Sequence, residues 1–385
     1  MQFIDLETQQ RRIRTDIEAR IRNVLNHGQY IMGPEVQELE EKLAEYAGMA
    51  HCIGCSSGTD ALLMALMALD VKPGDVVITS PFTFVATAEA ICLAGAIPVF
   101  ADIDPHTFNI SPTEIERAIQ AVMGKQPSVH ALPRILQDSE AVPKGIIAVD
   151  LFGLPADYDA IKAIAKKYGL FVIADAAQSF GADYKGKKAC SAADISCTSF
   201  FPAKPLGAYG DAGAVFTADD GLAGKLHSIR IHGQGLDKYH NDRIGLNARL
   251  DTLQAAILLS KFHIFPDEIL ARQRVAGRYG RGLQGLPMVN CPEVPENYKS
   301  VWAQYSVRSG QRLAIRNRLA DNGIPTAVYY QKPLHLQNAF SHLGYSPGDM
   351  PVSEAVSNDI FSLPMHPYLD DEQIDRICGI IGEAL

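Results

Sequence analysis

Several common functional signals are missing from this chain of 385 residues, and each absence closes off a class of function. No apolar run approaches the roughly 18 residues that a membrane span requires. The opening segment, Met1-Gln2-Phe3-Ile4-Asp5-Leu6-Glu7, lacks the basic-then-apolar order of a secretory leader, so the expectation is a cytoplasmic protein. Basic residues form no cluster. With 35 of them against 44 acidic ones the formal charge is -9, and neither nucleic acid nor a membrane is an expected partner. Seven cysteines in this length make no disulfide framework. Cys52 and Cys55 have CxxC spacing, but no second pair completes a zinc site, and both read as small buried residues. The 11 histidines include no HxxxH or HExxH pair, so no metal is expected. The stretch Gly207 to Gly213 lacks GxGxxG spacing, which leaves nicotinamide chemistry without support. There is no internal repeat and no low-complexity tract.

What is present is a core and a pattern. Hydrophobic residues make up 47% of the chain, and the length suits two domains at about 100–200 residues each. Strand-like runs (76–79, 98–101, 146–151, 171–174, 196–200, 214–217) alternate with helical ones (113–122, 158–168). Such alternation predicts an α/β fold with a mostly parallel sheet covered on both faces. Residues 250–283 read as mainly helical, interrupted near Pro266, and lead out of a large domain (1–250) into a small α+β domain (251–385). In the small domain, segments 303–308 and 326–330 read as strands around a helix at 312–322.

Four segments carry chemistry. In Ser199-Phe200-Phe201-Pro202-Ala203-Lys204-Pro205, an amine follows a hydrophobic strand beside rigid turns, and such an amine can condense with an aldehyde if its surroundings lower its pKa. The strand Leu170 to Ala174 ends in Asp175-Ala176-Ala177-Gln178, and an acid at that end of a central strand lies where open α/β sheets bind ligands. A carboxylate there can keep a pyridine nitrogen protonated, which makes the ring an electron sink. Ser57-Gly58-Thr59-Asp60 opens an apolar helix whose free amides suit a phosphate. Phe84 offers a ring for stacking. Each segment also has a plainer reading: a surface lysine, a helix cap, a core phenylalanine.

Taken together, Gly58-Thr59, Phe84, Asp175, Gln178, Ser199 and Lys204 resemble, in order and spacing, the sugar aminotransferases of the DegT/DnrJ/EryC1/StrS family. The likeness runs from Phe3-Ile4-Asp5-Leu6 through Tyr30-Ile31-Met32-Gly33-Pro34 to Leu363-Pro364-Met365-His366-Pro367. It implies a fold type I enzyme that uses pyridoxal 5'-phosphate to aminate a nucleotide-linked keto-sugar, with L-glutamate as donor. It also implies a homodimer with shared active sites and a place in lipopolysaccharide or O-antigen biosynthesis. By the same resemblance Lys204 forms the Schiff base and moves protons, and Asp175 pairs with the ring nitrogen. Phe84 stacks on the ring, Gln178 meets its hydroxyl, and Gly58, Thr59, Asp60 and Ser199 hold the phosphate. Asn247 completes the neighbouring subunit's site. Arg249, two residues on and on the same face of an extended segment, is the candidate reader of a substrate carboxylate or phosphate, or else an ordinary interface arginine. Tyr330, His335 and His366 fall in segments that border the substrate, as does His232, although each histidine read singly is an ordinary hydrogen-bonded one.

Segments Arg230 to Gln234, Leu246 to Leu250 and Leu363 to Tyr368 look most like members that aminate the 3-keto position of UDP-2-acetamido hexoses or hexuronates. The alternatives are a 4-keto dTDP- or UDP-sugar aminotransferase, a dehydratase, and a non-catalytic sensor; Lys204 argues against the last two. Two departures from the family pattern stand out. Ala212 replaces the first of two glycines after Asp211, which matters only if that position needs a positive φ. Residues 123–144 form an insertion with three prolines, expected to be a surface excursion with one short helix.

Overall fold

A computed structural model describes residues 1–136, 141–237 and 239–385. In chain order its helices are α1 (Leu6–His27), α2 (Pro34–Ala47), α3 (Gly58–Ala68), α4 (Ala86–Leu93), α5 (Pro112–Gly124), α6 (Tyr158–Tyr168), α7 (Asp220–Arg230), α8 (Thr252–Leu283), α9 (Arg312–Asp321), α10 (Pro351–Asp359) and α11 (Asp371–Glu383). The strands are β1 (His51–Cys55), β2 (Val76–Thr79), β3 (Ile97–Phe100), β4 (Pro143–Val149), β5 (Phe171–Asp175), β6 (Asp183–Tyr184), β7 (Lys187–Lys188), β8 (Ile195–Ser199), β9 (Gly213–Thr217), β10 (Tyr298–Lys299), β11 (Tyr305–Arg308) and β12 (Ile360–Leu363).

Among the described residues, seven strands make the main sheet, in the order β1-β9-β8-β5-β4-β2-β3. From β3 across to β8 neighbours run parallel, while β9 is antiparallel to both β8 and β1. The parallel strands are buried on both faces, which is why they read as unbroken apolar runs such as Val76-Val77-Ile78. Helices α3, α4 and α7 cover the face carrying Val77, Ile147, Ile173 and Val215. On the other face α5 and α6 pack over Ile78, Ala148 and Val172, and α2 and α8 over Ala214 and Phe216. This is the α/β architecture expected. Local chemistry sets the helix ends: Asp157 caps α6 by accepting the Ala160 amide, and Gly169 ends it at φ 68°.

Four details differ from expectation or sharpen it. First, α8 runs unbroken from Thr252 through Pro266 to Leu283. Proline inside a helix costs about 3 kcal/mol. Here Phe265 and Ile269 flank it, both packed against the turn at Gly181, where a Cβ would lie 2.7 Å from Ile269 Cδ1, so burial on either side outweighs the lost hydrogen bond. Second, β11 pairs with β12 rather than with 326–330, which contributes one bridge, Ala327 to Ser362. Tyr330 leaves that ladder to pack edge-on against Phe82, at 5.9 Å between ring centroids. Third, strand β1 coincides with the CxxC run. Cys52 and Cys55 consequently point to opposite faces of the sheet, into separate apolar clusters, and do not meet.

The fourth is the insertion, which does contain a short helical turn at Arg134–Leu136 but is not merely superficial. Leu132 and Leu136 are buried, and His130 Nε2 donates to the Phe100 carbonyl at 2.7 Å, so the segment clasps edge strand β3. Its residues 137–140 lie outside the described residues. No helix among the described residues is long and apolar enough to cross a membrane, and no group of three or more metal-ligating side chains occurs among them.

Candidate active site

The carboxyl ends of the parallel strands lie along one edge of the sheet, where open α/β sheets bind ligands. Strand β5 ends in Asp175, β8 ends in Ser199, and the segments after β2 and β4, the first running into the start of α4, carry Phe82 to Thr87 and Asp150 to Gly153.

The cradle is built by glycines that let three segments touch. A Cβ on Gly58 would lie 2.7 Å from Ser199 Cβ, and one on Gly213 would lie 2.4 Å from the Ser57 carbonyl. Ser57 caps α3, its hydroxyl accepting the Asp60 amide at 3.1 Å. Ser56 donates to the Asp60 carboxylate, and the Ala61 amide is spent on the Ser57 carbonyl at 3.0 Å. What α3 offers outward is therefore the amides of Gly58 and Thr59, the Thr59 hydroxyl and the positive end of the helix, a set that suits an anion. Ala212 has no positive φ and is buried, so its departure from the family pattern needs no adjustment; the close approach is made at Gly213.

Asp175 is 6% exposed. Its Oδ2 accepts from the Thr87 hydroxyl at 2.8 Å and its Oδ1 from the Ala177 amide at 3.2 Å. Burial raises its pKa above the ordinary carboxylate value, while Thr87 and the Lys204 ammonium oppose that rise. Burial lowers the pKa of Lys204, opposed by Asp175. The two groups thus feel one another, and the Lys204 amine is easier to deprotonate than a surface lysine; it has no hydrogen bond or ion pair among the described residues. Phe84 is 58% exposed, a free ring face, whereas Phe82 two residues earlier is core. Gln178 is buried, its Oε1 accepting from the Phe152 amide at 2.7 Å and its Nε2 lying 3.4 Å from the Tyr330 hydroxyl. Gly58, Thr59, Asp60, Ser199, Asp175, Lys204, Gln178 and Tyr330 thus group around these strand ends.

Other candidates stand differently. Residues 246–250 lie beside β1: the Ser56 amide donates to the Ala248 carbonyl at 3.1 Å, and Arg249 bridges Cys55. Asn247 is exposed, and the buried Nε of Arg249 has no hydrogen-bond partner among the described residues. His335 is committed to Glu354, with Nε2 3.0 Å from its carboxylate. His366 is buried beside Asp5 and Arg272 at the seam between the N-terminal segment and α8. Neither histidine joins the Lys204 group. Thr87 went unread in the sequence; it closes the run that supplied Phe84, and nothing local marks it as the partner of Asp175.

A ring-bearing phosphate fits these residues: an anion cradle that a Cβ would fill, an open aromatic face, a buried carboxylate and an amine of lowered pKa. The fold and this constellation define a fold type I, pyridoxal phosphate-dependent aminotransferase. The chain belongs to the DegT/DnrJ/EryC1/StrS aminotransferase family, whose model matches residues 11–382. It is 50% identical over 99% of both chains to a UDP-2-acetamido-2-deoxy-3-oxo-D-glucuronate aminotransferase of Pseudomonas aeruginosa. It is 41% identical, over 100% of this chain and 97% of the other, to a UDP-N-acetyl-3-dehydro-alpha-D-glucosamine 3-aminotransferase of Acidithiobacillus ferrooxidans. The crystal structure of a family aminotransferase from Brucella abortus superposes with a TM-score of 0.93 at 48% identity, covering 99% of this chain and 98% of that one.

Proposed function

We propose that this chain transfers the amino group of L-glutamate to the 3-keto carbon of a UDP-linked 2-acetamido hexuronate. Its likeness along the whole length to the Pseudomonas enzyme supports the sugar, and the observation that carries the chemistry is buried Asp175 at the end of β5, on the strand paired with β8, which leads through Ser199 to Lys204. Pyridoxal phosphate, when bound, supplies an aldehyde for an amine and a ring that draws electrons from an adjacent carbon. The amides of Gly58 and Thr59, with Ser199 beside them, hold its phosphate; Asp60 supports the turn. Phe84 covers one face of the ring. Asp175, whose pKa burial raises while Thr87, Lys204 and Ala177 oppose the rise, would hold the proton on the ring nitrogen. Lys204 Nζ, its pKa lowered by burial, would be the group that takes up and returns a proton, at the donor's α-carbon in one half-reaction and at the aminated sugar carbon in the other.

Arg249 reads the sugar's carboxylate, bidentately where a lysine could not, and Tyr330 lines the sugar side. His335 acts through Glu354 by holding the segment that carries Tyr330, and His366 stays in the seam. The working unit is a homodimer in which Asn247, exposed on one subunit, enters the other's site. The chain divides near Leu250, with α8 bridging a large and a small domain, a division supported by the separate apolar cluster of Val275, Tyr305, Phe361 and Ile377. Seven free cysteines suit a reducing, cytoplasmic setting, and the product suits lipopolysaccharide or O-antigen assembly.

The test is direct. Purified enzyme with pyridoxal phosphate and glutamate is offered UDP-linked 3-keto hexuronate, the neutral 3-keto hexose and a 4-keto sugar, and products are read by mass. Amine should form fastest from the hexuronate, and Lys204→Ala should form none. Preference for the 4-keto sugar would overturn the assignment.

A further inference from the structure

Asp150 closes β4, is fully buried, and has no part in the roles above. Its backbone amide donates to the Asp175 carbonyl at 3.1 Å. Its side chain gathers three donors: the Ala156 amide at 2.8 Å and the Tyr158 hydroxyl at 2.7 Å on Oδ1, and the Ser179 hydroxyl at 2.6 Å on Oδ2. Burial pushes this carboxyl up to about 7, against the three donors that pull it down. Ser179 is the residue after Gln178. The base of the turn between Asp175 and Ser179 is held by contacts such as the Ala176 amide on the Cys197 carbonyl at 2.8 Å, and the Asp150–Ser179 bond ties its far end, next to Gln178.

Two residues beyond Asp150, the Phe152 amide donates to Gln178 at 2.7 Å. A backbone N–H can only donate. The Gln178 atom it meets must be the carbonyl oxygen, and the amide nitrogen is the atom left facing the Tyr330 hydroxyl. Phe152 sits at φ 59°, a left-handed conformation costly for a residue with a Cβ. Its amide is aimed at Gln178 despite that cost, and Asp150, two residues earlier, anchors the loop.

We propose that Asp150 is a positioning residue for cofactor recognition: through Ser179 on one side and Phe152 on the other it locks the Gln178 amide as a donor. The pocket therefore selects a pyridine ring bearing an acceptor oxygen. This rests on the reading above that Gln178 faces the cofactor ring. The probes are pyridoxamine phosphate and its 3-deoxy analogue, both of which bind without a covalent link. Binding to apoprotein is followed through the fluorescence of Trp302, the one tryptophan in the chain.

Wild-type protein should prefer pyridoxamine phosphate at least tenfold, the effect of one hydrogen bond to a charged acceptor. Asp150→Ala should lose most of that preference by binding pyridoxamine phosphate more weakly while holding the 3-deoxy analogue as before, whereas general loosening would weaken both. Asp150→Asn should keep the preference, because Ser179 can turn its hydroxyl to accept. Should Asp150→Ala fail to fold, Ser179→Ala decides, and it should lose part of the preference. Folded Asp150→Ala or Ser179→Ala with wild-type preference would overturn the proposal, as would a wild type that binds both compounds equally. Failure of the wild type to bind pyridoxamine phosphate at all would instead overturn the placement of the cofactor.

Discussion

Replacing Thr87 with valine removes one hydroxyl and almost no volume, and it isolates the contact on which the electrostatics of Asp175 depend. In the wild type, Asp175 Oδ2 takes its hydrogen bond from Thr87 at 2.8 Å, and the other oxygen has only the longer Ala177 contact at 3.2 Å. A hydrogen bond to a charged group contributes about 1.5–3 kcal/mol, and stranding a buried acceptor costs a similar amount. Burial already raises the pKa of this carboxyl, and Thr87 lowers it. Loss of the hydroxyl therefore raises it further, favouring the neutral acid, which cannot hold a proton on the ring nitrogen. At about 1.4 kcal/mol per factor of ten, affinity for pyridoxal phosphate should fall roughly tenfold to a hundredfold. Equilibrium titration of apoprotein measures this, with the turnover rate falling in parallel, and Thr87→Ser should restore most of both. Wild-type cofactor affinity and turnover in a folded Thr87→Val protein would refute the argument that Asp175 needs this donor.

Gly58→Ala places a methyl 2.7 Å from Ser199 Cβ; overpacking of this kind costs about 1–3 kcal/mol. Thermal denaturation should show that loss together with weaker cofactor binding, and adding Ser199→Gly should recover part of the stability. If Asn247 completes the partner's site, the inactive variants Lys204→Ala and Asn247→Ala should regain activity on subunit exchange, because one site of each mixed dimer is intact; a fully active monomer would sink that reading. Burial holds the His366 imidazole down at about 4 against an ordinary 6.5. The folded state thus binds fewer protons than the unfolded one between those values, and stability should fall as pH drops through that window, by at most about 3 kcal/mol. Urea unfolding at about pH 7 and about pH 4.5 should show a smaller fall for His366→Asn than for the wild type, and equal falls would show that His366 is not the cause.

Local codes account for what was legible. Lys204 after its strand, Asp175 at the end of an earlier one, and Ser57-Gly58-Thr59 at a helix start are each written in a few consecutive residues, because backbone caps, turns and strand periodicity act over such short spans. Alternation of apolar runs marked six of the seven main-sheet strands. The seventh, β1, was hidden by its cysteines, which drew attention as a pair although the strand's two-residue period separates them. At Pro266 the local rule predicted a break, and burial of Phe265 and Ile269 on the helix flanks overrode it.

The sequence by itself thus determined the fold class, the family and the segments from which the candidate site is read. Tertiary structure alone decided how those residues are held. Thr87 reaches Asp175 across 88 positions, and Ser179 reaches Asp150 across 29. Tyr330 leaves its ladder to meet Gln178 across 152. No local pattern encodes such meetings, because they follow from the order of strands in the sheet. That order is set by which apolar faces can be buried together, a property of the whole chain rather than of any segment.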